Sequence, residues 1–180
     1  MIDLATAQID IQGPRLRLRR FTKADITPAY LGWLCDAEVT RYSNQRFVRH
    51  TLARCEAYFA SFADSPNLFL AIDDRRSDSM IGTLTVYASP PHQTADVGIL
   101  IGERAVWGQG CGKEAWCALV DWLLTTAQVR KVTAGTLAIN ASMLRLMQAA
   151  GMHHEATRRA QEIVDGTPQD IVYYARFRHG

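Results

Sequence analysis

Long apolar runs are missing from this sequence of 180 residues: nowhere do the ~18 uninterrupted apolar residues of a membrane-spanning helix occur. The opening residues carry Asp3 and Asp10 and no apolar stretch of signal-peptide length, so neither a leader nor a membrane partner is expected. An excess of one charge is missing too. Lys and Arg number 20 against 18 Asp and Glu, a formal net charge of +2. No basic run is interleaved with aromatics, which leaves bulk nucleic-acid binding without an electrostatic basis. The nearest approach, Arg15-Leu-Arg-Leu-Arg-Arg20, alternates like a strand with one charged face. Cysteine is sparse and unpatterned: Cys35, Cys55, Cys111 and Cys117 form no C-x-x-C and have no histidines at ligand spacing. That predicts free thiols, no structural metal and a reducing, cytoplasmic setting. No Ser/His/Asp or Cys/His pair is spaced for an acyl-enzyme, and no repeat, linker or low-complexity segment divides the chain.

Glycine, by contrast, is concentrated in one place. Gly108, Gly110 and Gly112 alternate in Trp107-Gly-Gln-Gly-Cys-Gly-Lys113, between the apolar stretch Asp96–Gly102 and the amphipathic stretch that follows. Glycines let backbone N–H groups approach a ligand, because no Cβ intervenes. The first turn of a helix has unpaired donors and a partial positive charge, to which Lys113 adds a full one. The pattern predicts a pyrophosphate cradle. It is not a P-loop, since Glu114 follows Gly112-Lys113 and Trp107 stands five before Gly112. Nor is it the dinucleotide fingerprint, whose G-x-G-x-x-G spacing it lacks. A plainer reading, in which the glycines serve only a tight turn and close helix packing, stands beside the cradle.

Around that turn the periodicities predict a mixed α/β order of about seven strands and four helices. Residues 1–12 are weakly patterned and read as a loosely packed arm. Leu16, Leu18 and Phe21 give a first strand. Thr22-Lys-Ala-Asp25 is a capping box opening a helix with Ile26, Ala29 or Tyr30, and Trp33 inward. Asp36 to His50 is turn-rich, and Thr51 caps a second helix with Leu52, Cys55, Phe59 and Phe62 on one face. Leu68–Ile72 and Met80–Tyr87 form a hairpin. Strand Thr94–Ile101, a helix from about Gln109 to Ala127 and strand Lys131–Leu137 make a right-handed parallel crossover about the glycines. A helix over Ser142–Ala150 and a closing hairpin turning at Asp165-Gly166 complete one domain over residues 1–180.

The glycine stretch resembles the acyl-CoA loop of the GCN5-related N-acetyltransferase (GNAT) superfamily, in its RimJ/RimL-like branch. The superfamily carries R/Q-x-x-G-x-G/A after its fourth strand. Here Gly110-Cys111-Gly112 supply the end of it, Trp107 holds the R/Q position, and Trp107 to Ala115 is similar to the branch's W-G-x-G-x-G followed by E-A. Asn140 to Met152 resembles the superfamily's later motif, N-x-x-S and a helix ending in G-F. The resemblance spans residues 15 to 178 in element order. It implies a GNAT-like sheet, mostly antiparallel, whose parallel fourth and fifth strands splay to admit a pantetheine arm. Acetyl-CoA is then the cosubstrate. Backbone amides of Trp107, Gly108, Gln109, Gly110, Cys111, Gly112 and Lys113 hold its pyrophosphate, and Val97, Gly98, Ile99, Leu100 and Ile101 pair with pantetheine. Asn140 either contacts the coenzyme or only caps its helix, or does both. Two departures matter: Met143 replaces the motif's serine, with Ser142 one position early, and Met147 replaces the tyrosine that protonates a leaving thiolate. No general acid carries over.

The implied reaction moves an acetyl group directly to a primary amine, on an amino-sugar nucleotide or other small molecule, or at a protein N-terminus. Freeing a lysine-like amine of its proton at pH 7 costs roughly 4–5 kcal/mol, and an α-amine only about 1–1.5. Asp96, fourteen residues before Gly110, is the candidate base, acting directly or through a water, or else a strand-edge aspartate bonding loop groups. Glu103 and His92 are weaker candidates. The acceptor pocket is expected over Asp36–His50 and the last hairpin, with Trp33, Arg41, Tyr42, Arg46 and Arg158 as candidates to bind an anionic or sugar-nucleotide acceptor. Trp33 is also readable as core, the arginines as solvated, and Tyr173 and Tyr174 as packing. Expected partners are a CoA thioester and an amine, with no metal, no nucleic acid and no membrane, in a monomer or homodimer. The alternative of a different class is an acyl-CoA-binding sensor without chemistry.

Overall fold

Successive residues of a strand face opposite sides of the sheet, and the apolar ones build two main cores, with a smaller cluster of Leu137, Val164 and Ile171 beside the last hairpin. In the computed structural model, which describes residues 2–178, eight strands form one sheet in the order β1-β2-β3-β4-β5-β6-β8-β7. They are β1 (Asp10–Gln12), β2 (Leu16–Arg20), β3 (Leu68–Asp74), β4 (Ser79–Ser89), β5 (Thr94–Ile101), β6 (Lys131–Leu137), β7 (His153–Val164) and β8 (Thr167–Phe177). Leu68, Leu70 and Ile72 of β3 face one core, and Phe69 and Ala71 face the other. Burial on both sides is why this strand is a continuous apolar run. The first core packs under α4 (Cys111–Thr125) and α5 (Ala141–Ala149), where Trp116, Leu119, Val120, Leu123 and Met147 are fully buried. The second packs under α1 (Pro28–Cys35) and α3 (Leu52–Ala60), with Phe21, Tyr30, Trp33 and Cys55. No helix among the described residues is long and apolar enough to cross a membrane.

Neighbouring strands are antiparallel except β5 and β6, which are parallel and joined through α4. The mixed α/β, mostly antiparallel sheet with one parallel pair expected from the sequence is therefore present, with eight strands and five α-helices among the described residues. The additions are β1, of 3 residues, and α2 (Ala37–Thr40), of 4. Neither is long enough to complete a period that a sequence pattern displays.

Three local expectations are corrected. The stretch read as a loose arm is docked over its described part: Leu4 and Ile9 are 2% and 7% exposed, and β1 pairs with β2. The Arg20 guanidinium donates to the carbonyls of Leu4, Ala5 and Ala7, tying down backbone that carries almost no pattern. The capping box closes a 3₁₀ turn at Lys23–Asp25, and α1 begins later, at Pro28, with Thr27 as its cap. Proline fits a first helical position and not a helix interior, so it sets the boundary. Leu52 is 55% exposed, so only Cys55 of the expected α3 face is fully buried.

The feature that positions the site is the unequal pairing of β5. Along its β4 edge it is paired throughout, from Ser89↔Thr94 to Gly82↔Ile101. Along its β6 edge only Thr94, Asp96 and the residue between them pair, with Lys131, Thr133 and Val132. Past Asp96 the two strands separate, and the β6-facing backbone groups of Val97–Ile101 border a cleft.

Candidate functional site

That cleft has a volume of ≈ 1170 Å³ and is bounded by β5, the glycine turn, α5 and the β8 side of β6. Its open end is the N-terminus of α4. Gly108 and Gly110 have φ of 74° and 82°, a left-handed conformation that side-chain-bearing residues rarely adopt. The loop is braced by its own groups. Trp107 N–H donates to Arg104 O and Gln109 N–H to Val106 O. The Gln109 side chain returns to Ala105 O at 2.7 Å. The indole Nε1 of Trp107 donates to Ile101 O at 2.9 Å, pinning the turn to the end of β5. Among the described residues, no protein acceptor meets the N–H groups of Gly108, Gly110, Cys111, Gly112 or Lys113. The expected cradle thus narrows: Trp107 and Gln109 spend their amides inside the loop, and Gln109 does not line the cleft. A Cβ on Gly112 would stand 3.5 Å from Ile101 Cγ1 and 3.7 Å from Leu146 Cδ1, projecting between the cleft walls. An open row of donors at a helix start, with Lys113 beside it, is a fit for a diphosphate.

What holds this helix start in place escaped the sequence reading. The Glu114 carboxylate accepts from Arg15 Nε at 2.8 Å and from the backbone N–H groups of Arg15 and Leu16. Arg15 in turn donates to Gln109 O at 2.8 Å. Burial pushes the Glu114 carboxyl up, but these donors outweigh it and hold it below its usual range. Arg145 of α5 also lines the cleft and adds a second cation, which lies outside both sequence motifs' signal positions. Asn140 caps α5, accepting from Met143 N–H at 3.2 Å, and donates to Thr136 Oγ1 at 3.1 Å while lining the cleft. Its capping role is realised, and it stands on the cleft wall as well. Met147 is 0% exposed, so the place where the resemblance puts a tyrosine holds core. Cys111 is 2% exposed and packs in the first core, which leaves its thiol without access.

Asp96 lies where the splay closes. Its side chain is open to the cleft, and Thr133 Oγ1 donates to its Oδ2 at 2.7 Å. The surrounding cleft wall strips hydration from the carboxyl and raises its pKa, against the lowering effect of the Thr133 bond. His92 and Glu103 line neither cleft. Glu103 is occupied in capping a 3₁₀ turn by accepting from Ala105 N–H.

Of the expected acceptor residues, Arg41 and Tyr42 line this cleft, as do Arg158 and Tyr173. Trp33 and Arg46 do not. Trp33 is 9% exposed and packs on Gly102, where a Cβ would lie 2.0 Å from its ring. Arg46 is spent on Ser43 O, Ile163 O and Glu162. A second cleft of ≈ 600 Å³ opens on the α1/α3 face, and Ser43, Gln45, Val48 and His50 of the stretch expected to carry the acceptor pocket line part of it. It shares Ser43, Tyr87, Gly98, Ile99 and Leu100 with the first, so the two meet at the middle of β5. Among the described residues no group of three His, Cys, Asp or Glu side chains is placed to hold a metal ion.

The model of the acetyltransferase (GNAT) domain matches residues 15–153. A curated relative, the probable N-acetyltransferase YjcK of Bacillus subtilis (strain 168), is 29% identical over 105 residues, 57% of this chain and 55% of the relative. The chain thus spans about half the length of that relative. Among solved structures, a GNAT-family acetyltransferase from Bacillus anthracis superposes with a TM-score of 0.81 at 18% identity, covering 94% of this chain and 99% of that one. The spermidine N-acetyltransferase of Vibrio cholerae in complex with CoA and spermine gives 0.81 at 16%, covering 92% and 97%. RimL, the ribosomal L7/L12 alpha-N-protein acetyltransferase in complex with coenzyme A, gives 0.79 at 17%, covering 93% and 97%. At these identities the likeness is one of fold.

Proposed function

The chain belongs to the GNAT acetyltransferase family, and from that premise we propose that it is an acetyl-CoA-dependent N-acetyltransferase acting on a primary amine. The observation that carries the proposal is the set of unmet amides of Gly108, Gly110, Cys111, Gly112 and Lys113 at the mouth of a splayed strand pair. Those amides, with Lys113 and Arg145, receive the pyrophosphate. The unpaired edge of Val97–Ile101 hydrogen-bonds the pantetheine arm and brings the thioester to the middle of β5. Backbone N–H groups there stabilise the negative charge that develops on the carbonyl oxygen. The amine nitrogen attacks the carbonyl carbon, the N–C bond forms, the C–S bond breaks, and the electron pair leaves on sulfur. Asp96, directly or through a water, takes the proton the amine sheds. Its raised pKa makes it a better base than an ordinary aspartate.

No side chain is assigned to protonate the sulfur. A thiol with a pKa near ~8.5 leaves tolerably as a thiolate near neutral pH, so a missing acid slows the step without forbidding it. The finer readings are also proposals: the RimJ/RimL-like branch rests on Trp107 to Ala115, and a reducing cytoplasmic setting on four free cysteines. Buried Met147 favours a second reading, a CoA-binding sensor that does no chemistry. Thiol release from acetyl-CoA across a panel of amines decides between them. The enzyme releases CoA only when an accepted amine is present, whereas a sensor binds acetyl-CoA and releases none with any amine.

A further inference from the structure

We propose that the smaller cleft seats the amine acceptor, and that it takes primary amines on an apolar or aromatic body with a neutral or anionic substituent and rejects polyamines. The inference deepens the transferase reading and rests on it. Three observations carry it.

The first is position. The cleft lies on the α1/α3 face and reaches the backbone of Gly98, Ile99 and Leu100 that also walls the larger cleft. An amine in one and a thioester in the other meet across that short stretch of β5. The second is access. The segment Ser43–Arg46 runs between the clefts, with Asn44 lining the larger and Gln45 the smaller. It is fastened to β7: Asn44 Nδ2 donates to Glu162 Oε1 at 3.1 Å, and Arg46 donates to Ile163 O at 3.4 Å and pairs with Glu162 at 3.6 Å. The boundary between the clefts is thereby tied to the closing hairpin, while Arg54 of α3, on the other side of the smaller cleft, is exposed.

The third is chemistry. Tyr30, Tyr58 and Phe69 form an aromatic wall, with Tyr58 edge-on to Phe69 at 5.4 Å. The Tyr58 and Tyr87 hydroxyls are bonded at 2.9 Å. His50 Nε2 donates to Gln45 O at 3.0 Å, which leaves Nδ1 as its free ring nitrogen. No aspartate or glutamate lines the cleft. Arg54 lines it and is exposed, and no carboxylate lies within ion-pair distance of it among the described residues. A second ammonium in such a cleft loses hydration and gains no counter-ion, while a carboxylate gains Arg54.

Calorimetric titration of the full chain saturated with CoA, which cannot react, tests this with tyramine, tyrosine and spermidine. Expected are heat with tyramine and tyrosine and none with spermidine. Arg54→Glu should weaken tyrosine by roughly tenfold and leave tyramine within about twofold, and Arg54→Lys should restore the preference. Spermidine binding as tightly as tyrosine, or tyrosine indifferent to Arg54→Glu, overturns the proposal. Failure of the transferase reading looks different: tyrosine binds as described, yet acetyl-CoA releases no thiol in its presence.

Discussion

The Asp96 carboxyl is where the chemistry is most exposed to test, because its environment fixes the sign of a pH effect. Burial in the cleft wall raises its pKa, and the Thr133 hydroxyl opposes that rise. The base form therefore disappears at a higher pH than for an ordinary aspartate, and kcat/KM falls as pH drops through that raised value. Asp96→Asn should abolish this acid limb and lower kcat. Unchanged turnover over about pH 6 to 9 removes Asp96 from the mechanism. Thr133→Val takes away the donor that favours the carboxylate, so the limb should move to higher pH, read from the same profile. Gly112→Ala places a methyl between Ile101 and Leu146 at ordinary contact distance. We expect nearly unchanged melting and at least about tenfold weaker acetyl-CoA binding, seen as a raised KM with folding intact. At this scale the sequence was readable where chemistry is local: alternating glycines, a lysine at a helix start, an aspartate ahead of them. Arg15 and Glu114 stand 99 positions apart, and no spacing rule joins them. Trp33 and Arg46 line neither cleft, and side-chain type announces neither the burial of the one nor the competing partners of the other.

Among the elements, β5 is the rail on which the site is aligned, and its end is held from both sides. Ile101 O receives the Trp107 indole, and Gly102 lies against the Trp33 ring. A Cβ at Gly102 would approach that ring to 2.0 Å, so Gly102→Ala must displace a core tryptophan or the strand end. A loss of about 1–3 kcal/mol in unfolding free energy is expected, measured by denaturant titration, with weaker CoA binding as a companion effect. A melting midpoint equal to the parent's would show that the strand end is not held this way. The bounds of β5 and β6 were legible because β5 is largely apolar, β6 alternates Val132 and Ala134 with polar or small residues, and turn residues flank both. The short β1 and α2 were not, and neither was the docking of residues 2–9, which depends on an arginine reaching back to three carbonyls.

For the whole molecule, two cores on opposite faces of one sheet bring two clefts to the same strand, an arrangement no single segment of sequence encodes. On the α1/α3 face, Arg19 of β2 ties β3 to the turn ahead of α1, forking between Asp25 and Asp73 at 2.8 Å and 2.6 Å. Burial pushes the Asp25 carboxyl up, but Arg19 and the Thr22 amide prevail and its pKa lies below the usual value. A depressed carboxyl contributes stability that is present above its unfolded pKa and lost as pH falls through the folded one. The urea midpoint should therefore drop below about pH 4, and Asp25→Asn should flatten that part of the profile while lowering the midpoint at neutral pH. A parallel acid limb in the variant would assign the loss to other groups. The proposition on which the functional reading stands is simpler: the open amides of Gly108 and of Gly110 to Lys113 grip a diphosphate. Isothermal titration of the pure protein with coenzyme A and with acetyl-CoA is its most direct test. Saturable one-site binding, weakened by Gly112→Ala, is expected. The absence of heat with both ligands would contradict it.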